Sequence, residues 1–150
     1  MLNNHILLLG IYQLKRLKKI NDHRNKIAKI YFNNLQECQE KGLLQFPEIH
    51  EKIEHVFWKF WVRVRDGIDR NEIKTYLAKK SIASDWAYSP LLHLQPLFKK
   101  LLNSNEVNMQ RSEKLASMHI CLPIHNMISE DDAQFIAKSM ADYLLKNYDY

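Results

Sequence analysis

Mostly apolar residues recur at three- and four-residue steps from residue 6 to about residue 41, the longest periodic pattern in the chain. This spacing is typical of an amphipathic helix and predicts a single long one. Gly42 follows Lys41 and can end that helix in the left-handed conformation that glycine adopts easily. The first turns, Ile6–Ile11, are apolar nearly all round, so we expect this end to be covered on more than one side. The residues of the periodic face are Leu7, Gly10, Leu14, Leu17, Ile20, Arg24, Ile27, Tyr31, Leu35 and Cys38.

An aromatic and β-branched run at residues 55–64 predicts the clearest strand. The segment before it, residues 43–54, contains Pro47 and is expected to be a connection with at most a short strand. Both faces of the run carry large apolar side chains, so we expect helices to cover the sheet and the aromatic residues to lie in the core. We expect Val56, Trp58, Phe60 and Val62 on one face, and Phe57, Trp61 and Val64 on the other, together with Lys59.

Helical periodicity returns in the second half of the chain. Asp69 and Glu72 have the spacing of a capping box, which predicts a helix from Asp69 to about Lys80. A final helix is expected after Ser129, where acidic residues in the first turn suit the helix dipole. The first helix should bury Ile73, Tyr76 and Leu77, and the final one Phe135, Ile136, Met140, Tyr143 and Leu144.

Shorter elements are expected between these two helices. The pattern predicts short strands at residues 82–86 and 120–122, a helical turn at 97–102 and a helix at 110–119. The resulting class is α+β: a long N-terminal helix plus a small, mainly antiparallel sheet covered by helices. At 150 residues, we expect residues 1–150 to form one domain.

Charge and composition exclude several function classes. The net charge is +5, and seven basic residues between Lys15 and Lys29 could attract phosphates. A solvated helix face explains this stripe better, so no nucleic-acid partner is expected. No apolar run reaches the roughly 18 residues that span a bilayer, and the start lacks the features of a signal peptide. Cys38 and Cys121 stand far apart, which favours free thiols and a cytoplasmic location. The histidine spacing predicts no metal site.

Several motifs together resemble the DegT/StrS family of sugar aminotransferases, enzymes that use pyridoxal phosphate (PLP). LLLGIYQLKRL resembles the start of the family's long helix, and Arg24, Ala28 and Tyr31 fit the step that follows. HVFWKFWVRV resembles the family's H-x-Y-x-x-(aromatic)-x-(V/I)-R strand, with Arg63 on its arginine. Asp69 and Arg70 fit the family's helix start. YSPLLHLQPLF and SEKLASMHICLPIHNMISEDD resemble a proline loop and the segment that leads into the last helix.

The resemblance implies the C-terminal small domain of the aspartate-aminotransferase fold, close to the perosamine-synthetase group. In the family the proline loop approaches the mouth of the active site, which makes Tyr88, His93 and Gln95 candidate substrate contacts. Bracing of the loop by these side chains is the alternative interpretation. This chain also departs from the family: Ser81 replaces a usual glycine, Ala87 a frequent histidine, and Leu7 and Leu8 a pair of alanines.

The resemblance places the Schiff-base lysine, the pyridine-nitrogen carboxylate and the phosphate cradle in a large domain outside residues 1–150. We therefore expect no catalytic and no cofactor-binding residues here, and a chain that is inactive alone. A large-domain polypeptide, or self-association through Ile6–Ile11, is the expected partnership, with a nucleotide sugar bound only in the intact enzyme. A stand-alone, non-catalytic binding or assembly module that kept the fold is the alternative.

Purified residues 1–150 should form no aldimine with PLP, because the sequence offers only three glycines and no glycine-rich phosphate loop. The measurement is the visible spectrum after PLP is added, followed by borohydride reduction and peptide mapping. A stoichiometric pyridoxyl group on one lysine would contradict this expectation.

Overall fold

The computed structural model describes residues 4–101 and 108–149. A long helix, a three-stranded antiparallel sheet of order β1-β2-β3 and four further α-helices form the architecture of this part. This confirms the predicted α+β class. The elements are α1 (Asn4–Glu40), β1 (Leu44–Gln45), β2 (Phe60–Val64), α2 (Arg70–Lys79), a 3-10 helix (Leu92–Leu94), α3 (Pro96–Leu101), α4 (Gln110–Met118), β3 (His119–Leu122) and α5 (Glu130–Tyr148).

The second half of α1 packs on α5 and on one face of the sheet. Tyr31 is fully buried, lies against the Phe60 ring with centroids 4.9 Å apart, and donates its hydroxyl to the Pro123 carbonyl at 2.5 Å. His23 adds a hydrogen bond to the Ile128 carbonyl at 2.9 Å. The buried face of α1 consists of Ile27, Ala28, Tyr31, Leu35 and Cys38.

The first half of α1 has no cover within the described structure. Ile6, Leu7, Leu8, Leu9 and Ile11 are each about half exposed or more, up to 64% for Leu8. The described residues thus do not supply the cover expected for this end, and these side chains face water, as expected for the chain without a large domain. The helix continues through Gly10 although both faces are in water, which leaves a stripe of apolar side chains without a partner.

The strand expected at residues 55–64 begins only at Phe60. Phe57 adopts a φ of 42°, a left-handed conformation that breaks an extended chain. The predicted facing is wrong in consequence: Phe57 is buried, whereas Trp58 is 59% exposed and Trp61 40% exposed. Val64 lies on the buried face with Phe60 and Val62. The two tryptophans therefore belong to a partly open face of the sheet and not to the core.

Three smaller expectations also need correction. Asp69 caps α2 through the Asn71 amide, while the Glu72 carboxylate accepts hydrogen bonds from Tyr143 and Tyr148, so the predicted capping box does not form. Residues 82–86 contribute a single bridge, Asp85 to Cys121, instead of a strand. Phe135 is 52% exposed because it lies on the outer side of α5.

Two helices end in the same motif but with different residues. After α1, Gly42 has a φ of 67°, and the amides of Gly42 and Leu43 bond the carbonyls of Gln39 and Cys38. After α2, Ser81 has a φ of 61° and the same pair of bonds forms, from Ser81 to Ala78 and from Ile82 to Leu77. This is the Schellman arrangement, whose left-handed residue is usually glycine.

Ser81→Gly should stabilise the chain by about 0.5–1 kcal/mol, because glycine removes the left-handed strain at the cost of some unfolded-state entropy. The measurement is the urea midpoint of unfolding.

Ala78→Gly is the matched control, since it lies three residues earlier in helical geometry and should destabilise by about 1 kcal/mol. A Ser81→Gly protein that unfolds at a lower urea concentration than wild type would contradict the prediction.

Candidate functional site

The loop that carries the predicted substrate contacts, residues 84–95, lies beside the open face of the sheet. Tyr88 is held in a left-handed conformation with a φ of 55°, followed by a cis Ser89–Pro90 bond. Its ring is 72% exposed. A left-handed tyrosine is strained, and such residues concentrate at binding and active sites.

Trp58 and Lys59 meet Tyr88 across the loop. The turn at Phe57 directs Trp58 outward, and the centroids of the Trp58 and Tyr88 rings lie 6.5 Å apart. The Lys59 ammonium sits 5.0 Å from the Trp58 centroid and 5.5 Å from that of Tyr88. These are cation–π distances, so the two rings hold the ammonium at the surface. We call Trp58, Lys59 and Tyr88 the aromatic face.

A cavity of about 470 Å³ opens beside the aromatic face. Its apolar walls with one ammonium and one carboxylate can take a ring-shaped ligand and attract an anionic substituent to Lys59. No arrangement of nucleophile and general base is seen among its lining residues. The residues that line it in addition to the aromatic face are Ile53, Glu54, His55, Val56, Trp61 and Ala87.

The three predicted substrate contacts, Tyr88, His93 and Gln95, have different surroundings in the structure. His93 Nε2 lies 2.9 Å from Glu113 Oε1 and so ties the 3-10 helix to α4. The Gln95 side-chain amide donates to the Pro90 carbonyl at 2.9 Å and so closes the loop on itself. Tyr88 alone of the three presents its ring to the cavity of the aromatic face. Contact between any of the three and a substrate stays a prediction.

Arg70, Trp86 and His119 attach the loop to the body, and sequence reasoning assigned them no such role. The Arg70 guanidinium stacks over Trp86 at 4.3 Å and donates to the carbonyls of Ala116 and His119, the latter at 3.0 Å. Lys74 covers the same tryptophan at 4.1 Å. The Ala87 amide donates to His119 Nε2 at 2.8 Å. These groups come from three separate chain regions, so no local sequence motif predicts their contacts.

One cavity, of about 380 Å³, brings a lysine and a carboxylate together but does not fit PLP. Lys80 lines it with Asp132. Its ammonium is held 4.8 Å from the Tyr76 ring centroid, and the Asp132 carboxylate accepts from the Ser129 hydroxyl and amide as a helix cap. The described lining holds no glycine turn to cradle a phosphate.

The described structure offers neither a cluster of metal-ligating side chains nor a reactive thiol. Residues 4–101 and 108–149 contain no group of three or more metal-ligating side chains. Burial raises the pKa of the Cys38 thiol to about 11 and also raises that of Cys121, which keeps both protonated and unreactive near neutral pH. Nowhere in the described ranges is a helix both long and apolar enough to cross a bilayer.

The fold and the motifs agree with one class of protein, the sugar aminotransferases. The sequence pattern of the DegT/DnrJ/EryC1/StrS aminotransferase family matches residues 2–141, so the chain belongs to that family. An uncharacterized protein of Methanocaldococcus jannaschii is 27% identical over 142 residues, which cover 93% of this chain and 36% of that protein. The GDP-perosamine synthase of Escherichia coli O157:H7 is 22% identical over 135 residues, which cover 90% of this chain and 34% of the enzyme.

Solved structures agree with this assignment. A sugar aminotransferase from Streptococcus pneumoniae in its PLP form superposes with a TM-score of 0.77 at 25% identity, covering 92% of this chain and 34% of that one. The chain spans about a third of the length of the curated relatives it matches. The predicted family is thereby confirmed.

Proposed function

We propose that residues 1–150 act as the C-terminal small domain of a PLP-dependent nucleotide-sugar aminotransferase. The observation that carries the proposal is the family match over residues 2–141, set against relatives about three times as long. PLP, held by a large domain outside these residues, supplies the electron sink for amino transfer. The residues of this chain bind and orient the nucleotide sugar.

The aromatic face is the part of the chain that we assign to the substrate. Tyr88 and Trp58 offer two exposed rings against which a sugar or base can lie, and Lys59 offers a positive charge between them. The contacts of the two rings with a ligand, and the attraction of the ammonium for an anion, contribute most to the binding free energy where water is excluded. A large domain closing over this face would provide that exclusion.

Isolation of the protein from its native source under gentle conditions tests the proposal. After borohydride reduction, a pyridoxyl-lysine should be found outside residues 1–150, at one pyridoxyl group per copy of this chain. The modified lysine should lie either in the same polypeptide or in a second polypeptide that is tightly bound to it. The purified material should transfer an amino group from an amino-acid donor to a keto-deoxysugar nucleotide.

A native preparation that contains residues 1–150 but neither PLP nor transaminase activity would overturn the proposal. That outcome would favour the non-catalytic binding or assembly module.

In the native holoenzyme, Tyr88→Ala should raise KM for the nucleotide sugar about two- to tenfold, the equivalent of roughly 0.5–1.5 kcal/mol from lost ring and cation–π contacts. The KM for the amino donor should change little. Steady-state kinetics with each substrate varied in turn make the measurement.

Leu92→Ala is the control variant, because Leu92 is exposed on the same loop but lines neither the cavity of the aromatic face nor the smaller one beside Arg70. Equal changes in both variants would place the effect in the loop as a whole and count against a Tyr88 contact.

We further propose that the stripe Ile6–Ile11 is the docking surface for the large domain and, where that domain is absent, for a second copy of the chain. A fully exposed Leu or Ile forgoes about 1.5–3 kcal/mol of burial, and these half-exposed side chains forgo roughly half of that each, which favours association. Leu7→Ala combined with Leu8→Ala should therefore lower the association of the isolated chain without unfolding it. Sedimentation velocity over a concentration series measures association, and circular dichroism measures folding.

Gln13→Ala combined with Lys15→Ala alters exposed positions of the same helix and should leave association nearly unchanged. A wild-type chain that sediments as a monomer at every concentration would sink the idea.

A further inference from the structure

The hydrogen bond from the Ala87 amide to His119 Nε2, 2.8 Å long, holds the residue directly before Tyr88. His119 is the first residue of β3 and pairs with Arg63 across the sheet, so its backbone is fixed. Two backbone bonds between Asp85 and Cys121, 3.2 and 2.6 Å long, hold the loop two residues earlier. Within the part of the chain that the structure describes, Ala87 is the last residue before Tyr88 that is tied to the sheet, through the His119 ring and through a backbone contact with the Cys121 thiol of β3.

This tie requires a neutral ring. A ring nitrogen that accepts a hydrogen bond carries no proton, so the single proton of His119 must sit on Nδ1. Protonation of Nε2 would place an N–H of the ring opposite the Ala87 N–H, so the hydrogen bond to Ala87 would be lost.

The charges around His119 oppose that protonation. Arg70 of α2 bonds the His119 carbonyl at 3.0 Å and is the cation at the ring. Asp85, on the loop, is paired with Lys74 of α2 at 3.1 Å. Glu113 of α4 lines the same cavity as His119 but is paired with His93 of the 3-10 helix at 2.9 Å. Both carboxylates therefore already have cationic or hydrogen-bonding partners.

From this geometry we infer that His119 is a positioning residue for Tyr88, and that its own protonation releases the loop that carries the aromatic face. The inference rests on the proposed function only for the role of Tyr88 in substrate binding. The release of the loop is a property of residues 1–150 themselves.

The pH window follows from the direction of the shift. Burial of the ring lowers the pKa of His119 below its usual 6.5; the Arg70 charge lowers it further, and together they outweigh the neighbouring backbone groups that raise it. The unfolded or detached ring therefore takes up a proton first, and the tie is fully present only above pH 6.5. It is lost progressively as the pH falls from 6.5 to the lowered pKa, and it weakens no further below that point.

Amide hydrogen exchange on the full 150-residue chain, resolved by NMR between pH 5 and 7.5 and corrected for intrinsic rates, tests the inference. Protection of the Ala87 amide should be lost toward pH 5, while that of the Ile120 and Leu122 amides in β3 stays constant. The His119 ring should titrate below 6.5 with the same midpoint. His119→Gln keeps an acceptor that does not titrate, so its Ala87 protection should be independent of pH.

Two further variants separate competing explanations. His119→Leu removes the acceptor, so Ala87 should exchange fast at every pH. His93→Gln removes the imidazole of the loop itself and should keep the wild-type pH dependence at Ala87.

A His119 that titrates at or above 6.5 would overturn the inference, as would Ala87 protection that does not change with pH in wild type. Loss of the pH dependence in His93→Gln would assign it to the His93–Glu113 pair and overturn it too. None of these outcomes depends on transaminase activity, so failure of the proposed function would be seen separately, in the native preparation.

Discussion

The packing of α1 against α5 and the sheet is the contact on which the rest of the structure depends. Tyr31 is at its centre: the ring closes on Phe60 of β2 while the hydroxyl satisfies the Pro123 carbonyl, where the chain leaves β3. One side chain thus joins the long helix to the middle strand and to an edge strand. A buried hydroxyl without that partner would cost about 1–3 kcal/mol, so the position of the Pro123 carbonyl is restrained together with the ring. The turn toward α5 begins at that carbonyl, and the cap at Ser129 completes it.

Periodicity and capping residues together located the helices, because helical burial repeats every three to four residues over long stretches and short irregularities do not hide it. The extents of α1 and α2, and the start of α5, were accordingly predictable to within a few residues. The strand at residues 55–64 was not, since a φ of 42° at Phe57 cannot be read from a pattern of apolar residues when the residue is neither glycine nor asparagine. One such turn was enough to move Trp58 from the predicted core to the surface.

The residues of the candidate site were likewise predictable only in part. Tyr88 was available from the loop motif, whereas its neighbours Trp58 and Lys59 lie some thirty residues earlier and meet it only in the folded chain. His119 and Arg70 are isolated in the sequence, and their importance comes from the hydrogen bonds that they make to backbone groups. Family likeness identified the kind of protein. Tertiary contacts were needed to see how its loop is held.

The length of α1 has a mechanical consequence. Its 37 residues correspond to about 55 Å of helix, of which the part ahead of Ile20 extends roughly 24 Å beyond the packed core. Such a rod acts as a lever, and a tilt of about ten degrees at its root displaces the tip by some 4 Å. A large domain docked on Ile6–Ile11, as proposed, would therefore set the angle at which the sheet and the aromatic face are presented. Gly10, with a helix propensity about 1 kcal/mol below that of alanine, is the place where that lever bends most cheaply.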